Sequence, residues 1–78
     1  MSARMRDLRD TLKRFLGVDW ERRTEPFRKA ISAAMIATGN TSPLSAVIPL
    51  AKDMESHRKD PTLLMAVAVD MADPPKSL

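Results

Sequence analysis

Two glycines and six prolines cut this 78-residue chain into short lengths, and where they stand leaves room for little besides helix. Gly17 closes a first segment, and Gly39-Asn40 closes a second. Ser42-Pro43 and Asp60-Pro61 read as helix starts, and Asp73-Pro74-Pro75 as a stop. Proline suits the first helical position, where its missing N–H costs nothing, while glycine or asparagine accepts the left-handed turn past a helix end.

Apolar spacing fills in the segments. Met1, Met5, Leu8, Leu12, Phe15 and Leu16 recur at three and four, which predicts an amphipathic helix over about 3–16. Arg6, Arg9 and Lys13 gather on one flank of that stripe. Residues 18–25 read as a connector, with Asp19 capping a short turn at Trp20. Trp20 reads foremost as a lid over the core edge, and as a surface anchor in the alternative.

A helix is expected over 26–38, begun by Pro26, with Phe27, Ala30, Ile31 and Ala34 as its inner stripe and Ile36 off it. This is the element the rest of the chain is expected to fold around. A third helix, about 43–58, carries Leu44, Val47, Ile48, Ala51 and Met54 on one face and should break near 48, since Pro49 removes a backbone donor. The fourth, 61–72, contains the apolar run 63–69. Periodicity alone does not separate that run from a buried strand; its length, its start signal and the lack of a second strand favour helix. A helix apolar on nearly all sides must be enclosed by its own bundle or by a second chain.

The expected fold is therefore all-α: a single helical domain over 1–73, three to four short helices with antiparallel neighbours, and a flexible tail at 74–78. A domain this small buries only about 60% of the surface its unfolded chain exposes. Without cysteine, disulfides and thiolate metal sites are excluded, so staples must come from packing or association. The charged start lacks the apolar core of a secretory signal, and no run approaches the ~20 residues of a membrane span, so a cytoplasmic protein is expected.

Site chemistry is sparse. There is no P-loop, dinucleotide fingerprint, HExxH or nucleophile elbow. Asp53 and His57 stand four apart on one helix, yet nothing supplies a nucleophile beside them, so a solvated or packed histidine is the plainer reading. No enzyme activity, cofactor or metal is expected. Ser42 and Ser45 near a helix start invite comparison with an acyl carrier, but the Asp-Ser-Leu such carriers need is missing.

Two function classes remain. The net charge of +3 is uneven: nine bases face five acids up to Lys29, and four face five beyond it. A basic N-terminal third would let Arg6, Arg9, Lys13, Arg22 and Arg23 bind nucleic acid. A helix-turn-helix over 31–51 fits poorly, because Met35 and Ser45 fall where a small and an aliphatic residue belong, and Pro49 enters the recognition helix. The favoured class is a small non-catalytic regulatory or adaptor protein that binds another protein, with a homodimer through 63–69 as its preferred form. Met5, Leu8, Leu12, Trp20, Ile36, Leu63 and Val67 are its candidate contacts. Size and lack of chemistry suit a phage- or plasmid-encoded inhibitor of a host protein.

Overall fold

In a computed structural model the described residues, 3–73, form four helices: α1 (Ala3–Leu16), α2 (Asp19–Thr38), α3 (Pro43–Ser56) and α4 (Thr62–Ala72). No strand occurs among the described residues. The all-α bundle is as the sequence implies; Met1 and the tail at 74–78 lie outside the described residues.

The centre is α4, not α2. Leu64, Ala66, Val67, Ala68 and Val69 are buried, and α4 packs on all three other helices. The reason is compositional: a helix apolar around its whole circumference gains by being walled in, while α2 has a polar side to show to water. Small Ala66 and Ala68 let the neighbouring backbones come close. Of the run 63–69, Leu64 and residues 66–69 are thus enclosed by their own chain, while Leu63 and Met65 are half-buried.

The helix α2 starts at Asp19 rather than at Pro26, so the expected connector is helical. Gly17, at φ +55°, ends α1, and its carbonyl accepts from Trp20 N at 3.1 Å to start the next turn. Trp20, Thr24 and Ile31 are buried on α2 and Phe27 half-buried, one stripe at four-three-four spacing. Burying a large apolar side chain is worth about 1.5–3 kcal/mol. That offsets most of the roughly 3 kcal/mol a proline costs inside a helix. Pro26 and Arg22, whose carbonyl the proline leaves without its usual donor, are both exposed, so water can serve that oxygen. Thr24 is fully buried yet satisfied: its hydroxyl donates to Trp20 O at 2.6 Å and accepts from Arg28, which also donates to Glu21 O at 3.0 Å. Ala30, expected inside, is exposed.

The same logic removes the expected break in α3. Pro49 and Ser45, four residues before it, are both exposed, and the helix runs unbroken to Ser56. Its start is as the sequence implies, with Ser42 Oγ accepting from Ser45 N at 3.4 Å and Pro43 in the first turn.

Side-chain meetings fix the directions. Arg9 reaches Asp73 while Leu12 and Leu16 lie with Leu63, so α1 and α4 run antiparallel. Arg23 lies with Thr62 and Ile36 with Met71, so α2 runs with α4. Pro43 enters beside Met71 and the chain leaves α3 for Thr62, so α3 returns against α4. The helices α1 and α3 nowhere approach within 8 Å between Cα atoms, which leaves a groove between them.

Candidate protein-binding surfaces

Four large apolar residues stay in water: Phe15 at 84% exposed, Val18 at 96%, Ile36 at 83% and Ile48 at 51%. Phe15, Ile36 and Ile48 each line a different concavity.

The groove between α1 and α3 has a volume of about 250 Å³. Val47, Ala51, Met65 and Val69 line it with Met5 and Ile48, and Lys52 and Glu55 add charge. On another face, Ile36 and Met71 line two adjoining shallow hollows with Ser32. The third is a cleft of about 300 Å³ where the end of α1 meets the start of α4, lined by Leu12, Phe15, Leu16 and Leu63 with Arg23, Asp60 and Thr62.

The candidate contacts therefore scatter. Met5 lines the groove, Leu12 and Leu63 line the cleft, Ile36 is exposed, and Leu8 is half-buried on α1. Trp20 and Val67 are core residues, inaccessible to a partner. Trp20 is the lid, with Lys13 Nζ 5.7 Å from its ring centre. Phe15, Val18, Ile48 and Met71 were not among the contacts the sequence suggested. One signal did exist: Phe15 stands about 100° from Leu16 on the α1 wheel, so only one of the two can face the core, and Leu16 does.

Electrostatics reshape the basic third. Asp70 and Asp73 lie at the C-terminal end of α4, where the helix dipole disfavours carboxylates. Cations of α1 compensate. Arg9, with its side chain only 11% exposed, donates to Asp73 at 2.9 Å and to Asp10 at 2.7 Å. Lys13 meets Asp70 at 3.1 Å, and Arg6 stands 3.8 Å from Asp73. Burial works against the Arg9 charge, but its hydrogen bonds to Asp73 and Asp10 outweigh that and hold its pKa above the ordinary arginine value. Arg22 pairs with Asp19 at 3.2 Å. Of the five bases offered for nucleic acid, only Arg23 has no carboxylate of this chain within salt-bridge distance among the described residues.

His57 and Asp53 are both exposed, with Nδ1 3.7 Å from Oδ1; the closer contact of Nδ1 is Asp53 O at 2.8 Å. The pair therefore closes the end of α3. Among the described residues no three metal-ligating side chains cluster, and no helix is long and apolar enough to cross a membrane.

No family model matches the chain, and no curated protein or solved structure resembles it significantly.

Proposed function

We propose that this is a small non-catalytic regulatory or adaptor protein of the cytoplasm that acts by binding another protein through its exposed apolar surface. The observation that carries the reading is the exposure of Phe15, Ile36 and Ile48, each lining an apolar hollow, and of Val18, in a chain whose most apolar helix already lies in its own core. Apolar surface in contiguous concave patches is how protein partners are met. A different polypeptide is the partner favoured over a second copy, because most of the run 63–69 is buried in its own chain and only Leu63 and Met65 are half-buried.

Capture and cross-linking from the source cells test this with wild type and with Phe15→Ser, Ile36→Ser and Ile48→Ser. All three residues are exposed, so the variants should keep the wild-type circular dichroism and melting temperature. A discrete partner held by the wild type and lost with at least one variant supports the proposal. Retention of no polypeptide, or equal retention by all variants, overturns it.

A further inference from the structure

We infer that α1 is a strap: it lifts from α4 as a unit, turning at Gly17, while α2, α3 and α4 stay folded on their own core. The inference goes beyond the protein-binding reading and does not depend on it.

Two kinds of contact divide the molecule. Every member of the buried core cluster, from Trp20 to Ala68, belongs to α2, α3 or α4. No residue of α1 is buried; Leu12 and Leu16 lie half-buried against that cluster and favour the closed form. Charge shows the opposite pattern. Among the described residues, every ion pair that joins two helices joins α1 to the C-terminal end of α4. Arg9 meets Asp73 at 2.9 Å and Asp70 at 3.7 Å, Lys13 meets Asp70 at 3.1 Å, and Arg6 stands 3.8 Å from Asp73. The other ion pairs lie within a single helix or its cap. Apolar burial therefore binds α2, α3 and α4 to one another, while α1 is clasped in large part by charge. The Arg6 and Lys13 side chains are close to half exposed, so dissolved salt reaches and screens them.

The joint suits such a motion. Only Gly17 and Val18 separate α1 from α2, and both are exposed. Gly17 has no neighbour within 4 Å of where a Cβ would stand, so its dihedrals can change without dragging packed atoms. A segment with few buried apolar contacts opens at lower free energy than the core beside it. Lifting also remodels the surface. The groove takes Met5 from α1, and the cleft takes Leu12, Phe15 and Leu16, so both come apart when α1 leaves. The hollows beside Ile36 include no residue of α1 and persist. Ionic strength, acting on the clasp, thereby selects which apolar hollows the protein offers.

The test is hydrogen exchange read by mass spectrometry on the full-length protein, with acrylamide quenching of Trp20, its only tryptophan, alongside. Trp20 is 4% exposed and has Lys13 of α1 over its ring, so a lifted strap bares it. Raising sodium chloride from about 0.05 to about 1 M should speed exchange across α1, residues 13–16 included, by about tenfold relative to α3. The quenching constant of Trp20 should rise with it. Arg9→Met should do the same at low salt and shrink the response to salt. Lys29→Met, which breaks only an ion pair inside α2, should do neither. The salt series on the wild type decides the matter even if Arg9→Met fails to fold. Exchange in α1 that follows α3 at every salt concentration would overturn the inference, since the four helices then open together. Faster exchange confined to residues 3–8, with Trp20 still shielded, would overturn it too, since the helix then merely frays from its end.

Discussion

The two ends of α4 meet the same kind of side chain in opposite ways. At its C-terminal end, Arg6, Arg9 and Lys13 are drawn onto Asp70 and Asp73, and the electrostatics close within the molecule. At its N-terminal end, Asp60 is satisfied by Thr62, and Arg23, Arg58 and Lys59 have no carboxylate within salt-bridge distance among the described residues. Positive charge counted along a chain therefore says little about positive charge on offer. What matters is which cations the fold has already used, and here the most basic helix is largely neutralised where it crosses the acidic end of its neighbour.

The comparison breaks first at the spine the two ends share. Val67 is 1% exposed in the middle of α4. Val67→Asp places a carboxylate among apolar side chains and should cost more than about 4 kcal/mol, near the whole stability of so small a domain. Circular dichroism should show no cooperative unfolding transition. A folded variant that had merely lost self-association would mean that α4 is not enclosed as described.

A smaller effect separates the ends directly. Arg9→Met keeps the aliphatic stem but removes charge-assisted hydrogen bonds from a nearly buried site, and should cost about 1–2 kcal/mol in urea denaturation. Arg23→Met, at the open end, should stay within about 0.5 kcal/mol. Equal costs would erase the distinction between used and unused cations.

Next comes a gain. Both α2 and α3 end with the same kind of turn hydrogen bond, Asn40 N to Met35 O at 3.0 Å in the first and Lys59 N to Met54 O at 2.8 Å in the second. The left-handed position is Gly39 at φ +67° in the first and Arg58 at φ +57° in the second. An arginine there carries a strain that glycine lacks, so Arg58→Gly should raise stability by about 1 kcal/mol. The Arg58 side chain has no carboxylate within salt-bridge distance among the described residues, so no ion pair is lost to offset the gain, and the melting temperature should rise. An unchanged or lower melting temperature would mean that the left-handed position at Arg58 carries no strain.

Much of this was legible in the residues. The helix count, the Ser42 cap, the glycine ends and the amphipathic stripe of α1 all follow from local chemistry, which depends on neighbours a few positions away. The misreadings share one cause. Pro26 and Pro49 read as boundaries because a proline's local cost is plain, while the offset comes from elsewhere: Trp20 is buried in the core, and the residues around each proline are exposed, so water can serve the freed carbonyls. Trp20 and Thr24 do stand in register with Phe27 and Ile31, so the longer α2 was readable by extending the stripe through the proline. Pairing of Arg9 with Asp73, and with it the fate of the basic third, depended on the antiparallel docking of α1 on α4, which no local pattern encodes. Phe15 was misjudged for the same reason, since which edge of a stripe stays wet depends on where the neighbouring helix ends.

The smallest effect concerns acid. The folded-state pKa of Asp60 is depressed, first by the Thr62 hydroxyl and then by the Thr62 N–H, so folding favours its ionised form. A carboxyl with a lowered folded pKa contributes stability that is fully present above its unfolded value and is lost as pH falls through the folded one. Lys29 depresses Glu25 in the same sense, through its hydrogen bond and then its charge. Stability should therefore be flat above about pH 5 and decline below about pH 4. Asp60→Asn keeps an acceptor for Thr62 but cannot titrate. Its melting curve should sit slightly below wild type at pH 7, and the gap should close as pH drops to about 2.5. A gap that widened in acid would mean that Thr62 favours the protonated carboxyl, the reverse of what its two hydrogen bonds to Asp60 imply.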